Sequence, residues 1–315
     1  MTAPAVSVVI AARNAAATIE ACLRSLAAQS FTAHEVLVVD DGSSDDTGGL
    51  ARTLGARVIR TAGTGASAAR NLGVAAARGH IVAFTDADCT VTPTWLESLV
   101  TALETTGAVG VGGPQRNVFP PGISSAEAFD AFFRLASVVS DYTRTGGGAR
   151  QVPHNASCNS AYRKAAFEDV GGFAAGLWPG EDVDLDLRLR DRGGVLMFVP
   201  EAVVHHHRPG TLPWFRRMMR RYGAAERRVV QRHGRTRRID YLPPVLVAAV
   251  AAHALYVVPA IRPWLALADL TAVAAGGLAL VVTTPPRHWV SVAVFAATAV
   301  WSWHLGWWRG PGGDA

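Results

Sequence analysis

Two carboxylates separated by one alanine, Asp86-Ala87-Asp88, follow an apolar run, Ile81-Val-Ala-Phe-Thr85. At that spacing both can reach one small volume. Mg2+ or Mn2+ held by one or two carboxylates, with substrate phosphates completing the shell, uses such an arrangement. A second acidic group is Glu181-Asp182-Val183-Asp184-Leu185-Asp186, where Asp182, Asp186 and Leu189 fall on one helical face and Val183 and Leu187 on another. A third, Asp40-Asp41-Gly42-Ser43-Ser44-Asp45-Asp46, directly follows the apolar run Glu35–Val39. Each group also has an ordinary structural explanation. Aspartate is common in solvated turns, and the helix dipole favours acids in a first turn.

The elements around these groups repeat. Val6–Ala12 reads as a strand, 16–29 as an Ala-rich helix and 35–39 as a second strand. The polar loop 40–47 then opens a helix, with Ser44 or Asp45 as its N-cap. Residues 56–59 form a strand, 68–77 a helix carrying Arg70 and Asn71, and 81–85 a buried strand. Strand and helix in this alternation imply a parallel sheet wound by right-handed crossovers. The acids after the second and fourth strands then share the carboxyl edge, where open α/β sheets bind ligands. Further on, 95–104 and 164–170 read as helices, and 108–112, 195–200 and 202–206 as strands. Residues 154–162 are extended. An amphipathic helix is expected near 127–139, and Thr145-Gly-Gly-Gly148 is either a mobile lid or a linker.

The chain has 315 residues, half of them hydrophobic, and a net charge of +5. Its mean hydropathy is +0.19 and its pI about 9.5. Neither excess is evenly spread. Residues 208–238 hold eleven arginines and one acid, Glu226, interleaved with Trp214, Phe215, Met218, Met219 and Tyr222. Trp214, Met218 and Tyr222 form a stripe at helical spacing, as in a helix lying among anionic lipid headgroups. Apolar stretches at 242–261, 264–284 and 289–308 follow, each long enough to span a bilayer. Trp264, Trp289, Trp307 and Trp308 mark their ends, and His253 and Asp269 fall inside. The basic cluster beside apolar spans argues against a nucleic-acid binder and, by the positive-inside rule, places residues 1–240 in the cytoplasm. Cys22, Cys89 and Cys158 make no disulfide framework or metal motif, and no signal peptide precedes Val6.

Taken together, Val6-Ser-Val-Val-Ile-Ala-Ala-Arg-Asn14, Val38-Val-Asp-Asp-Gly-Ser-Ser-Asp-Asp-Thr47, Ala68-Ala-Arg-Asn-Leu-Gly73, Asp86-Ala-Asp88, Gly171-Gly-Phe173 and Gly180-Glu-Asp-Val-Asp-Leu185 resemble the motifs of the family-two glycosyltransferases over about residues 5–235. Each motif is weak alone; their order and spacing carry the resemblance. It implies an α/β GT-A fold, a Rossmann-like mixed sheet flanked by helices, with C-terminal transmembrane helices added. It implies a catalytic domain over 1–207, a basic interfacial segment over 208–240, two to three membrane helices over 241–309 and a tail over 310–315. The implied activity is an inverting hexosyltransfer from a nucleotide-diphosphate sugar, UDP-linked by expectation, to a lipid or lipid-linked acceptor at the cytoplasmic membrane. A nucleotide-sugar-binding scaffold without activity is the alternative.

The resemblance also assigns roles. Ala11, Ala12 and Asn14 would line the base and ribose, Asp40 or Asp41 would bond the base, and Arg70 would reach the donor. Asp88, with Asp86, would hold Mg2+ or Mn2+ on the diphosphate, Asp86 facing the ribose or sugar. Asp182 would be the general base and Glu181 would position the acceptor. One of the histidines at 205–207, with Arg208, would touch the diphosphate; His205 and His207 are the expected contacts. Arg116, Asn155 and Asn159 would shape the sugar pocket. No Gln-x-x-Arg-Trp motif is present, which disfavours a processive polymer synthase.

Overall fold

A computed structural model describes residues 4–121, 129–130, 132, 148–253, 260, 262–283 and 289–309. The expected helix at 127–139 and loop at 145–148 lie largely outside these. The chain divides into two units, one of residues 1–120 and 144–208 and the other of 121–143 and 209–315.

The first unit is built on strands β1 (Val6–Ala12), β2 (His34–Asp40), β3 (Arg57–Arg60), β4 (Ile81–Thr85), β5 (Cys89–Val91), β6 (Gly110–Gly112), β7 (Gln115–Val118), β8 (Arg150–Gln151), β9 (Asn159–Arg163), β10 (Leu196–Phe198) and β11 (Val204–His207). Its helices are α1 (Ile19–Ala27), α2 (Thr47–Thr53), α3 (Ala66–Ala76), α4 (Trp95–Thr106), α5 (Lys164–Asp169) and α6 (Glu181–Asp191). The main sheet runs β3-β2-β1-β4-β9-β6-β10-β8, and a small one runs β5-β11-β7. β3, β2, β1 and β4 pair in parallel as the alternation requires. β9 then enters antiparallel to both β4 and β6, so the sheet is mixed.

Alternation along β1 explains the layers. Val8 and Ile10 face a core shared with Ile19, Leu23 and Leu26 of α1 and Trp95, Leu96 and Leu99 of α4. Val9 faces the opposite core, with Val74 of α3, Phe167 of α5 and Leu185 and Leu189 of α6. Phe84 anchors that side, meeting Phe173 edge-on at 5.1 Å and Phe167 at 5.5 Å. Truncating such a buried ring costs about 3–5 kcal/mol.

One expected cap is corrected. Helix α2 starts at Thr47 with Asp46 at the cap position and making no capping bond; Asp45 Oδ1 accepts from the Thr47 amide at 3.1 Å, and Ser44 does not cap the helix. Both side chains are engaged across to the loop after β1. The Ser44 amide and hydroxyl donate to Asn14 Oδ1, and Asp45 Oδ2 accepts from the Ala16 amide at 3.0 Å. Asp45 thus serves the neighbouring loop with one oxygen and the start of α2 with the other.

The second unit contains α7 (Leu212–His233), α8 (Leu242–His253), α9 (Arg262–Thr283) and α10 (Trp289–Arg309). The expected stripe of α7 is displaced by about one residue. Tyr222 is exposed and Trp214 only half-buried, whereas Phe215, Met218, Met219, Gly223 and Val229 are buried. The reason is α10, which lies along that face. Phe215 and Phe295 rings meet at 4.8 Å, and Arg227 Nη1 donates to the carbonyls of Trp307 and Trp308. A Cβ on Gly223 would stand 1.8 Å from the Trp303 carbonyl oxygen, and one on Gly306 1.9 Å from that of Arg220. Only glycine allows this approach. Among the described residues, α10 is the one helix long and apolar enough to cross a membrane.

Candidate active site

The carboxyl ends of β1 and β2 meet through their loops. Asp41 is committed to the chain itself. Its Oδ1 accepts from the Thr64 amide at 2.6 Å and from the Thr61 and Thr64 hydroxyls, and its Oδ2 from the Gly65 amide at 2.8 Å. Burial pushes this carboxyl up, but those bonds outweigh it and hold it below the ordinary value. Asp40 is fully buried; Oδ1 accepts from the Ser43 amide, while Oδ2 has no hydrogen bond and lies 3.7 Å from Arg60. Of the two, Asp40 keeps the spare acceptor. Asn14 has a left-handed backbone, φ 51°, and ties the two loops. Ala11 and Ala12 end β1, Ala12 buried beside Asp40 in the sheet register.

The end of β4 meets the start of α6 through one arginine. Arg70 Nη2 donates to Asp86 Oδ1 at 2.7 Å and Nη1 to Glu181 Oε1 at 2.8 Å. Helix α3 holds Arg70 in place from both sides. Ser67 Oγ donates to the Leu177 carbonyl, and the Asn71 side chain exchanges bonds with both backbone groups of Phe173. Burial disfavours the Arg70 charge, yet Asp86 and Glu181 more than restore it and its pKa is raised. Glu181 is pushed up to about 7 by burial and the adjacent Asp182, against the pull of Arg70.

Asp182 sits in the first turn of α6. Its Oδ2 accepts from the Ser157 amide at 3.1 Å and lies 3.9 Å from His154 Nε2. The other ring nitrogen, Nδ1, is 2.9 Å from Asp186 Oδ2. Asp186 also accepts from the Asn155 amide and the Tyr162 hydroxyl. Burial raises its pKa, with His154 opposing. The one-face relation of Asp182 and Asp186 thus gathers a buried network. His154 and Ser157 belong to it, and sequence reading missed both; they precede β9 in an irregular stretch with no periodic signal.

Asp88 and His206 are brought together by strand pairing. β11 lies antiparallel to β5 with His206 opposite Cys89, which leaves His206 Nε2 3.3 Å from Asp88 Oδ2. Burial raises the Asp88 pKa, but the hydrogen bond and charge of His206 and the charge of Arg208 bring it below normal. The middle histidine therefore faces the site. His205 and His207, the expected contacts, alternate away from it; His207 Nε2 is near the Thr90 hydroxyl. Arg208 Nε donates to Asn117. The Cys158 thiol is lowered to about 7 by a hydrogen bond with Cys89, against burial and with help from His206. Asn159 is not a pocket residue. It is fully buried and bonds Trp95, Pro114 and Ala202. Asn155 is buried with Nδ2 unpartnered, and Arg116 is exposed on β7.

The site thus joins a carboxylate–imidazole pair, a buried arginine bridge and an acid on a helix's first turn. Asp88 oxygen and His206 nitrogen are donors that Mn2+ and Mg2+ accept, oxygen being preferred by the latter.

Comparison with known proteins places this geometry. The chain is 35% identical over 213 residues to glycosyltransferase AglE of Haloferax volcanii, spanning 65% of this chain and 67% of that protein. It is 33% identical over 240 residues to the pre-mycofactocin glycosyltransferase of Mycobacterium tuberculosis, spanning 72% of this chain and 48% of that one. Its fold is similar to mannosyltransferase PcManGT from Pyrobaculum calidifontis, solved in complex with GDP-Man and Mn2+, with a TM-score of 0.63, 21% identity, and 94% and 86% of the two chains covered. The S. aureus TarS 1–349 structure with UDP-GlcNAc gives a TM-score of 0.54 at 16% identity over 96% and 90% of the chains. Residues 7–171 match the family described as Glycosyl transferase family 2. With its mixed GT-A-like sheet, the chain belongs to glycosyl transferase family 2 and is a glycosyltransferase.

Proposed function

We propose that this enzyme moves a sugar from a nucleoside-diphosphate donor, UDP-linked in the first instance, to a lipid or lipid-linked acceptor by single displacement with inversion. The observation that carries the reading is the Arg70 bridge, which holds the donor-side acid Asp86 and the acceptor-side acid Glu181 on one guanidinium. Asp182, next to Glu181, takes the acceptor proton as the hydroxyl oxygen attacks the anomeric carbon. The Ser157 amide holds the Asp182 carboxylate in orientation. Asp40, whose Oδ2 makes no hydrogen bond within the chain and lies 3.7 Å from Arg60, is the acid for the base, and Asn14, Ala11 and Ala12 frame base and ribose. Asp88 and His206, with Asp86 nearby, would hold Mg2+ or Mn2+, which when bound neutralises charge on the departing diphosphate.

The second unit is the membrane attachment in this reading. Arg216, Arg217 and Arg221 are exposed on α7. Because α10 packs lengthwise along α7, a crossing α10 would carry those arginines with it, at about 2.5–3.5 kcal/mol each near the bilayer centre. In this reading the pair lies in the headgroup plane, with the catalytic unit in the cytoplasm.

The test is donor turnover by the detergent-purified chain, given UDP-, GDP- and dTDP-sugars, Mg2+ or Mn2+, and a lipid extract. Metal-dependent turnover of one donor, lost in Asp88→Asn and Asp182→Asn, is expected. Donor binding without turnover under every lipid supply would replace the enzyme by a binding scaffold.

A further inference from the structure

Behind the Asp88–His206 pair stands a group of different character. One ligand atom each from Asp86, Cys89, Cys158 and His206 lie within 4.8 Å of one another. Both thiols and the imidazole are buried, and the carboxylate is partly open. Three different segments supply them: the end of β4 running into β5, the residue before β9, and β11. The antiparallel register of β11 on β5 sets His206 opposite Cys89. Within normal hydrogen-bond geometry, His206 Nδ1 is buried without a partner.

The donor set is not one that Mg2+ selects. Two sulfurs, one nitrogen and one oxygen suit a borderline-soft, tetrahedral ion of the zinc class. With metal–ligand bonds of about 2.0–2.3 Å, the edges of such a tetrahedron are about 3.3–3.8 Å, so a contraction of about 1–1.5 Å at the widest pair closes the site. Asp86 marks the entry side.

We propose that Cys89, Cys158, His206 and Asp86 form a binding site for Zn2+-class cations, distinct in chemistry from the donor's metal site but sharing its walls. Binding converts the thiols to thiolates and releases their protons to solvent. With Nδ1 on the metal, Nε2–H still donates to Asp88, so the imidazole is no longer open to the donor's metal, and Asp86 is drawn from Arg70. Occupancy is therefore incompatible with catalysis, and Zn2+ acts as an inhibitor. That inhibitory half rests on the transferase reading; the binding half does not.

The experiment uses the full chain in detergent, reduced, freed of reductant without oxygen and stripped of metal, with Cd2+ as probe. A sulfur-to-metal charge-transfer band should appear and should be abolished by competing Zn2+. Cys89→Ser and Cys158→Ser should each reduce the band to about half or less, since at most one thiolate remains. Cys22→Ser is the control, because Cys22 Sγ donates to the Asp86 backbone carbonyl and stands outside the group. Its band should match the wild type. No band in the wild type, or an undiminished band in both single variants, overturns the site. These readouts need no activity, and a thermal melt of each variant confirms folding. In the turnover assay Zn2+ should inhibit the wild type despite saturating Mg2+ or Mn2+. A Cd2+ band with uninhibited turnover overturns the inhibition. A Cd2+ band without any turnover sinks the transferase reading and leaves the site standing.

Discussion

Arg70 and Glu181 form an ion pair in the interior, Nη1 to Oε1 at 2.8 Å, with side chains only 3% and 2% exposed. Removing one partner of such a pair leaves the other charge stranded, at about 3–5 kcal/mol. Arg70→Met should therefore lower the melting temperature sharply and abolish turnover. The double variant Arg70→Met, Glu181→Gln should regain much of the stability but none of the activity. A double-mutant cycle by thermal unfolding measures the coupling, and additive losses would mean that the bridge carries no energy.

The pH dependence of stability follows from Glu181. Its carboxyl sits at about 7 in the fold against 4.5 when free. Between those values the folded state holds the extra proton, so this group's contribution falls as pH rises through the window and levels off above about 7. The full effect is on the order of 3 kcal/mol. Denaturant midpoints of wild type minus Glu181→Gln, taken from pH 5 to pH 8 in steps, should show a downward slope. A flat difference would place Glu181 in the ordinary carboxylate range.

His154 stands between Asp182, the base in the proposed reaction, and a buried acid, 3.9 Å from Asp182 and 2.9 Å from Asp186. His154→Gln should lower kcat with little change in donor KM, because the residue orients the base and does not line the donor's path in this reading. Asp186→Ala strands the Tyr162 hydroxyl, the Asn155 amide and His154 together, and should cost on the order of 3 kcal/mol in unfolding free energy. Equal loss of KM and kcat in His154→Gln would argue for general disruption instead.

Gly223 and Gly306 set the distance between α7 and α10. Gly223→Val should push the helices apart and lower the thermal midpoint in detergent, since the Trp303 carbonyl occupies the space a side chain needs. The arginines of the same helix make a separate prediction. Flotation with vesicles rich in anionic lipid should exceed that with neutral vesicles, and Arg216→Gln, Arg217→Gln, Arg221→Gln should weaken it by about 1 kcal/mol per charge. Salt-insensitive flotation unaffected by the triple variant would assign all attachment to the apolar helices.

Most of the first unit was legible because its strands and helices carry periodic apolar patterns, as β1 does with Val8 and Ile10 to one core and Val9 to the other. The acids at 86–88 were legible because they stand where such a pattern stops, and those at 181–186 by their helical spacing, which sets Asp182 and Asp186 on one face of α6. What escaped depended on pairing between distant strands. Nothing local in His205-His206-His207 tells which ring turns inward; the register against Cys89 does. Asn159 read as polar and therefore as pocket-forming, but its amide is consumed by Trp95, Pro114 and Ala202. The α7 face was misplaced because a basic amphipathic helix has the same pattern whether lipid or another helix covers it.

Helix α3 touches the approach to α6 at three points: Ser67 on Leu177, Asn71 on Phe173 and Arg70 on Glu181. Two of these points grip main-chain atoms, which any residue type at 177 and 173 supplies, so positions 67 and 71 are constrained by themselves while their partners stay free to vary in type. Only the charges at 70 and 181 answer each other, so in related genes those two codons alone should drift together.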